Sequence, residues 1–172
     1  NPINISTIEF VENPIKDKIV IFLGINNGNS YKKGIHLFEK ALEIIKQKYA
    51  DKVDVIVTRN IPYQDYIKQF NKAHIVLDQI YAYDQGYNAL EAMAKGKVVF
   101  TGAEKEFEDY YNLSEKVAVN AVPNVENLVT ELSFLIENPN EIQAIGIRAR
   151  AFVEKEHNYI KVAEKYLKAW EN

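Results

Sequence analysis

The stretch IVLDQIYAYDQGYNALEAMAKGKVVFTG, residues 75–102, constrains the fold more than any other. It reads as strand, loop, helix, strand. Ile75–Asp78 and Lys97–Thr101 are apolar runs too short for helices, of the kind buried on both faces of a parallel sheet. Between them lie a loop, Gln79–Gln85, and a helix from Gly86 to about Lys95, which Gly96 ends. Two parallel strands joined through a helix require a right-handed crossover. This unit alone therefore predicts an α/β sheet.

The rest of the chain keeps the alternation. Lys18–Gly24 (KIVIFLG) and Val53–Thr58 (VDVIVT) are further strands. Gly34–Tyr49 is a helix with Ile35, Phe38, Leu42, Ile45 and Tyr49 on one face. Pro62 suits a helix start, and Tyr63–Phe70 follows with Tyr66, Ile67 and Phe70 inward. Glu104–Tyr111 reads as a short helix and Val117–Asn120 as a short strand. Asn124 caps a helix to Glu137. Pro139 opens another, which carries Ile142, Ile145, Ala149, Phe152 and Val153. The last helix, Tyr159–Ala169, presents Ile160, Ala163 and Leu167, with Trp170 beyond it. The expectation is a Rossmann-like open parallel sheet of about five strands with helices on both faces. Asn1–Asp17, with Pro2 and Pro14 and no periodicity, reads as an entry segment to one domain, 18–172.

Composition narrows the function. A chain of 172 residues, 47% hydrophobic and 26% charged, can bury a sizeable core. Its net charge is -3 and its arginines are only Arg59, Arg148 and Arg150, which argues against a nucleic-acid footprint. There is no cysteine, so neither disulfides nor thiol chemistry. The three histidines lack ligand spacing, so no metal site is expected. No apolar run approaches the roughly 20 residues of a membrane span, no signal peptide is visible, and a cytoplasmic setting is expected.

In open α/β sheets, ligands bind outside the carboxyl ends of the strands. Two loops with polar chemistry leave such ends. In Ile25–Lys33, Gly24 and Gly28 permit close backbone approach, and Asn26, Asn27, Asn29 and Ser30 offer donors and acceptors. Lys33 stands beside Gly34 at a helix start. Free helix-terminal amides next to a lysine suit a diphosphate, though a plain polar turn has the same composition. In the second loop, the amides of Gly86, Tyr87 and Asn88 open the helix. Glu91 lies deeper, among Leu90, Ala92, Met93 and Ala94. A lone carboxylate there is costly without a partner. It can accept two hydrogen bonds from a ribose diol, or pair with Lys95 at i,i+4 on a wet face. The apolar flanks favour the ribose. Asp84 at the loop tip can meet sugar hydroxyls or merely form a turn. Tyr81, Tyr83 and Tyr87 can stack on a base or sugar, or pack.

The run Gly86-Tyr-Asn-Ala-Leu-Glu91-Ala-Met-Ala-Lys-Gly96-Lys-Val-Val99 resembles the donor-site signature of retaining, two-domain glycosyltransferases of the GT-B fold (group 1, family 4 type). Lys33-Gly34 resembles the K-G step after the first strand of that family's carboxyl-terminal domain. The likeness runs from about Lys18 to Trp170 and includes the tail Ile145-Gly-Ile-Arg-Ala-Arg150. It implies one half of a GT-B enzyme, with an acceptor-binding half preceding Asn1. It implies transfer of a hexose-type sugar from a UDP- or GDP-linked donor, with retention, to a glycan or lipid-linked acceptor of polysaccharide or glycolipid synthesis. On this likeness Glu91 binds the ribose and Lys33 neutralises the leaving diphosphate. The amides of Gly86–Asn88 hold that diphosphate, and no metal or other cofactor is required. The partners are the nucleotide-sugar and the acceptor. Nucleic acid is not among them, and peripheral membrane association of a full-length protein stays open.

The chain departs from the family pattern in informative places. The family's first acid falls on Tyr83, with Asp84 one place late. The arginine after the first strand falls on Ile25. Only one strand, Val53–Thr58, fits between the first helix and Ile75, so the sheet should be one strand smaller. Arg59 and Asn60 then become candidates for the base pocket. The candidate catalytic set is Lys33, Asp84 and Glu91, and the isolated domain is expected to be inactive. The candidate donor-binding set is Asn26, Asn27, Gly28, Lys33, Arg59, Tyr83, Gly86, Tyr87, Asn88 and Glu91. The alternatives are a non-catalytic sugar-nucleotide-binding module and a sugar-nucleotide epimerase on the same fold. A free epimerised sugar, rather than a glycosylated acceptor, would mark the epimerase. An exposed apolar patch is expected at Leu167 and Trp170.

Overall fold

The computed structural model describes residues 1–12 and 14–171. Its five strands are β1 (Ile19–Ile25), β2 (Val53–Arg59), β3 (Ile75–Leu77), β4 (Val98–Thr101) and β5 (Val119–Asn120). They form one parallel sheet in the order β2-β1-β3-β4-β5. The helices are α1 (Ile35–Lys48), α2 (Tyr63–Lys72), α3 (Tyr87–Ala94), α4 (Lys105–Tyr111), α5 (Val125–Glu137), α6 (Pro139–Glu156) and α7 (Tyr159–Trp170). Each expected strand and helix forms, with ends shifted by one or two residues. The expected fold class, an open parallel α/β sheet of five strands, is the one observed.

Alternation along the strands divides the core in two. Ile19, Ile21, Leu23 and Ile25 of β1 face one side with Ile75, Leu77, Val98 and Phe100. They pack there against Phe38, Leu42 and Ile45 of α1 and Leu128, Leu132 and Leu135 of α5. Phe22, Val76 and Val99 face the other side, where Phe70 of α2, Leu90 and Met93 of α3, and Phe152 of α6 cover them. Leaving β1, the chain first builds β2 on one flank and then crosses back to build β3 on the other. The loops after β1 and β3 therefore diverge and open a crevice at the sheet's carboxyl edge.

Two devices hold α3 in this frame. Gly96, at φ +77, takes a left-handed turn after the helix, and α6 crosses it so closely that a Cβ on Gly146 would lie 2.1 Å from the Gly96 carbonyl oxygen. The tail arginine Arg150 donates to the carbonyls of Ala94 (2.8 Å) and Ile8 (2.7 Å), tying the end of α3 to the entry segment. That segment is laid against the domain. The Ile3 amide donates to the His157 carbonyl at 2.8 Å, and the Val11 amide to the Lys95 carbonyl at 3.2 Å.

Helix α7 buries none of its side chains. Leu167 and Trp170 stand 55% and 81% exposed, and Ile160 and Tyr166 of the same helix are exposed too, as the apolar patch expected there requires. Among the described residues, no helix is long and apolar enough to cross a membrane.

Candidate functional site

A crevice at the carboxyl ends of β1 and β2, facing the first turn of α3, holds a cavity of about 360 Å³. Asn26 and Asn29 line it from the β1 loop, Thr58 and Asn60 from the end of β2, Tyr63 and Tyr66 from α2, and Asn88 from α3. Lys33 enters from the turn before α1.

Lys33 and Asn88 converge on Asp78, the residue that ends the third apolar run. Asp78 Oδ1 accepts from Lys33 Nζ at 2.7 Å and from Asn88 Nδ2 at 2.9 Å. Asn88 Oδ1 accepts in turn from the Tyr66 hydroxyl at 2.6 Å. Burial pushes the Tyr66 phenol far above its ordinary range, and the charges of Asp78 and Glu91 add to the effect. Tyr66 is therefore a fixed donor, which turns the Asn88 amide group toward Asp78. Gly24 makes room for this arrangement, since a Cβ there would lie 2.4 Å from the Tyr66 ring. The main chain is tied as well, the Ile80 amide donating to the Lys33 carbonyl at 3.1 Å.

The expected residues divide by geometry. Asn26, Lys33 and Asn88 line the crevice. Asn27 and Gly28 do not, and their amides are already taken. The Asn27 amide donates to Asn60 Oδ1 (3.1 Å) and the Gly28 amide to Asn26 Oδ1 (3.0 Å). Arg59 is also outside. It pairs with Glu39 of α1 and borders a separate hollow with Tyr31 and His36. Asn60 follows the strand at a left-handed φ of +45, and this turn brings it to the crevice that Arg59, still in β2, does not line.

Tyr83 and Asp84 stand apart from it too. Tyr83 is 84% exposed, and the Asp84 charge is felt at Tyr111, the last residue of α4. The loop is pinned onto the end of β4, which explains the displacement. Buried Gln85 donates to the Gly102 carbonyl at 2.6 Å, and the Ala82 carbonyl oxygen lies where a Cβ on Gly102 would sit, 1.9 Å away. Gly86 caps α3 without a side-chain bond, and Tyr87 is 62% exposed.

Glu91 differs from its expected setting. Ala89, Leu90, Ala92, Met93 and Ala94 are buried, yet Glu91 keeps 31% of its side chain exposed and lies 3.9 Å from Lys95 Nζ. Asn88, Glu91 and Lys95 recur at helical spacing and make one polar stripe along a helix whose Ala89, Leu90, Ala92, Met93 and Ala94 are buried. The apolar flanks in sequence point inward and do not enclose the carboxylate. At 3.9 Å the pair is too long for a hydrogen bond, and Glu91 accepts none among the described residues.

Asp78, Tyr63 and Tyr66 were not legible as site residues. Asp78 carried the one available signal, an acid directly after three fully buried strand residues, where a carboxylate needs partners. No group of three His, Asp or Glu side chains that could hold a metal ion occurs among the described residues.

A glycosyl transferase-like family model matches residues 32–168, most of the chain, and spans Lys33, Asp78, Asn88 and Glu91. The chain belongs to this glycosyl transferase-like family. Among solved structures, the glycosyltransferase-like domain overlays HepE from Anabaena, solved with UDP and glucose, at TM-score 0.70 and 15% identity, covering 100% of this chain and 55% of that one. Sucrose-phosphate synthase from Thermosynechococcus elongatus gives TM-score 0.68 and 17% identity over 99% of this chain and 50% of its own. The carboxyl-terminal domain of the group 1 protein LpcC from Francisella tularensis gives 0.60 and 18%, with 91% and 98% covered. At these identities the likeness is one of fold, that of the carboxyl-terminal half of a GT-B glycosyltransferase. The chain spans about half the length of HepE and of sucrose-phosphate synthase. No curated protein sequence matches it.

Proposed function

We propose that this glycosyltransferase domain binds a nucleotide-sugar, with UDP or GDP as its carrier, and serves a retaining transfer to a glycan or lipid-linked acceptor held by a preceding domain. The observation that carries this reading is the meeting of Lys33 and Asn88 at the first turn of α3, on the crevice where the strand order reverses. An ammonium beside an uncapped helix start suits a diphosphate. A cavity of about 360 Å³ lies in the range of small-molecule sites. The stacked pair Tyr63–Tyr66, with ring centroids 6.3 Å apart, supplies an aromatic wall for a base. Asn60 beside it offers amide donors and acceptors. Glu91 lies on the same polar stripe as Asn88, and its carboxylate, loosely paired with Lys95 at 3.9 Å, accepts no hydrogen bond among the described residues and has room for ribose hydroxyls.

In the transfer, the bond from the anomeric carbon to the diphosphate breaks, and charge grows on the leaving phosphate. Lys33 and the α3 amides would stabilise that charge. The acceptor half supplies the rest of the cleft, so this domain alone should transfer negligibly. HepE, solved with UDP and glucose, supports a UDP carrier.

Titration calorimetry of the intact protein with UDP and GDP tests the reading. Binding of either is expected, and Glu91→Ala should weaken it. The reading fails if neither nucleotide binds and Glu91→Ala leaves transfer unchanged. Nucleotide binding without turnover would select the non-catalytic module.

A further inference from the structure

We propose that Asp78 is a built-in counter-ion for Lys33, which holds the ammonium in the crevice before a ligand arrives and sets how tightly a nucleoside diphosphate is retained. The inference rests on the donor-site reading above and goes beyond it. It assigns a positioning residue that acts through Lys33.

The two partners are unequal. The Asp78 side chain is 1% exposed, and the Lys33 side chain 31%. Asp78 follows β3 directly, its amide donates to the Phe100 carbonyl at 3.0 Å, and Asn88 holds the same Oδ1 that Lys33 does. The carboxylate therefore has nowhere to go. Lys33 sits on a turn and lines the cavity, so the ammonium is the group able to swing. Asp78 Oδ2 is buried with no hydrogen-bond partner. The carboxylate is thus held by one oxygen only, and the lysine supplies the compensating charge.

The local charge balance gives this pair its meaning. No arginine lines the crevice, and the negative charges of Asp78 and Glu91 are felt at Tyr66 on its wall. Lys33 is the only cation lining the cavity among the described residues, and it is already paired. A diphosphate must share that ammonium with a fixed carboxylate a few ångströms away. Repulsion in a partly buried site is strong enough to matter, and it outweighs the rotamer freedom that Lys33 would regain without its anchor. Asp78 therefore weakens retention of the spent diphosphate. A nucleoside, which brings no anion to Lys33, is indifferent to it.

The experiment compares the intact wild-type protein with Asp78→Asn and with the double variant Asp78→Asn/Lys33→Met. Titrations use UDP or GDP, whichever the wild type binds, and the matching nucleoside. Asp78→Asn should tighten the diphosphate by about tenfold and leave the nucleoside unchanged. The double variant should lose that gain. Unchanged or weaker diphosphate binding in Asp78→Asn, or a gain that survives in the double variant, overturns the proposal. So does a parallel change in nucleoside affinity, which would mark a merely structural role. Nitrogen-15 spectra of the wild-type lysine ammonium groups give a readout that depends on no variant's folding. The Lys33 signal should be protected in the unliganded protein and move on saturation, and a signal that does not move overturns the proposal. A wild type that binds neither nucleotide would remove the donor-site reading itself, a result visible before any variant is made.

Discussion

The side-chain amide of Gln85 donates to the main-chain carbonyl of Gly102 at 2.6 Å, and both partners are buried. This bond joins the loop after β3 to the end of β4 and fixes where Tyr83 and Asp84 stand. Gln85→Ala would leave a buried carbonyl without its donor, at a cost of about 1–3 kcal/mol. A lower melting temperature is expected, with faster amide exchange confined to residues 79–85. Uniform loosening of the whole sheet would contradict the local role.

Gly146 and Gly96 meet where α6 crosses the end of α3. A Cβ added at Gly146 would stand only 2.1 Å from the Gly96 carbonyl oxygen, so Gly146→Ala must force the helices apart. Overpacking of this kind costs about 1–3 kcal/mol. Chemical denaturation should show that loss, although alanine is the better helix former. An unchanged or raised midpoint would show that α6 can slide.

Lys97 is buried beneath α2 and donates to the carbonyls of Ala73 (2.7 Å) and Asn71 (3.0 Å). Burial, with Lys95 adding repulsion, lowers its pKa from 10.5 to about 8. Between these values the unfolded chain binds the extra proton, so stability should rise with pH across that window and stay flat below it. Unfolding free energies of wild type and Lys97→Met, measured through this range, test the sign. The variant should lack the slope.

His157 anchors the entry segment, its ring Nδ1 lying 2.8 Å from the Asn1 carbonyl oxygen. Burial lowers its pKa below 6.5. Its contribution to stability is complete above 6.5 and is lost as pH falls through the folded value. The protection of the Ile3 and Tyr159 amides, which pair across this junction, relative to their intrinsic exchange rates should fall in acid. His157→Gln should remove the pH dependence.

Much of this molecule follows from local pattern. The apolar runs at Ile19–Ile25, Ile75–Leu77 and Val98–Thr101 are strands because nothing else buries so short a run on both faces, and Val53–Arg59 joins them as a half-exposed edge strand. Gly96 ends α3, and Asn124 caps α5 through a bond from the Asn127 amide at 2.9 Å. These are decisions within a few residues of chain. Right-handed crossovers then placed the crevice, and Lys33 and Asn88 with it.

The partners across the crevice were a different matter. Asp78 lies 45 positions from Lys33 in sequence, and no periodicity joins them. Arg59 and Asn60 were equally plausible in sequence, and the left-handed turn at Asn60, just past β2, brought one to the crevice and left the other out. Glu91 read as enclosed because its neighbours are apolar, yet the rotation of α3 against α6 turned it to a polar stripe. Sequence determined which segments are strands and helices, since that depends on periodicity and burial along the chain. Tertiary structure alone decided which side chains share the crevice, because their distances are set by the packing of α2, α3 and the pinned loop against the sheet.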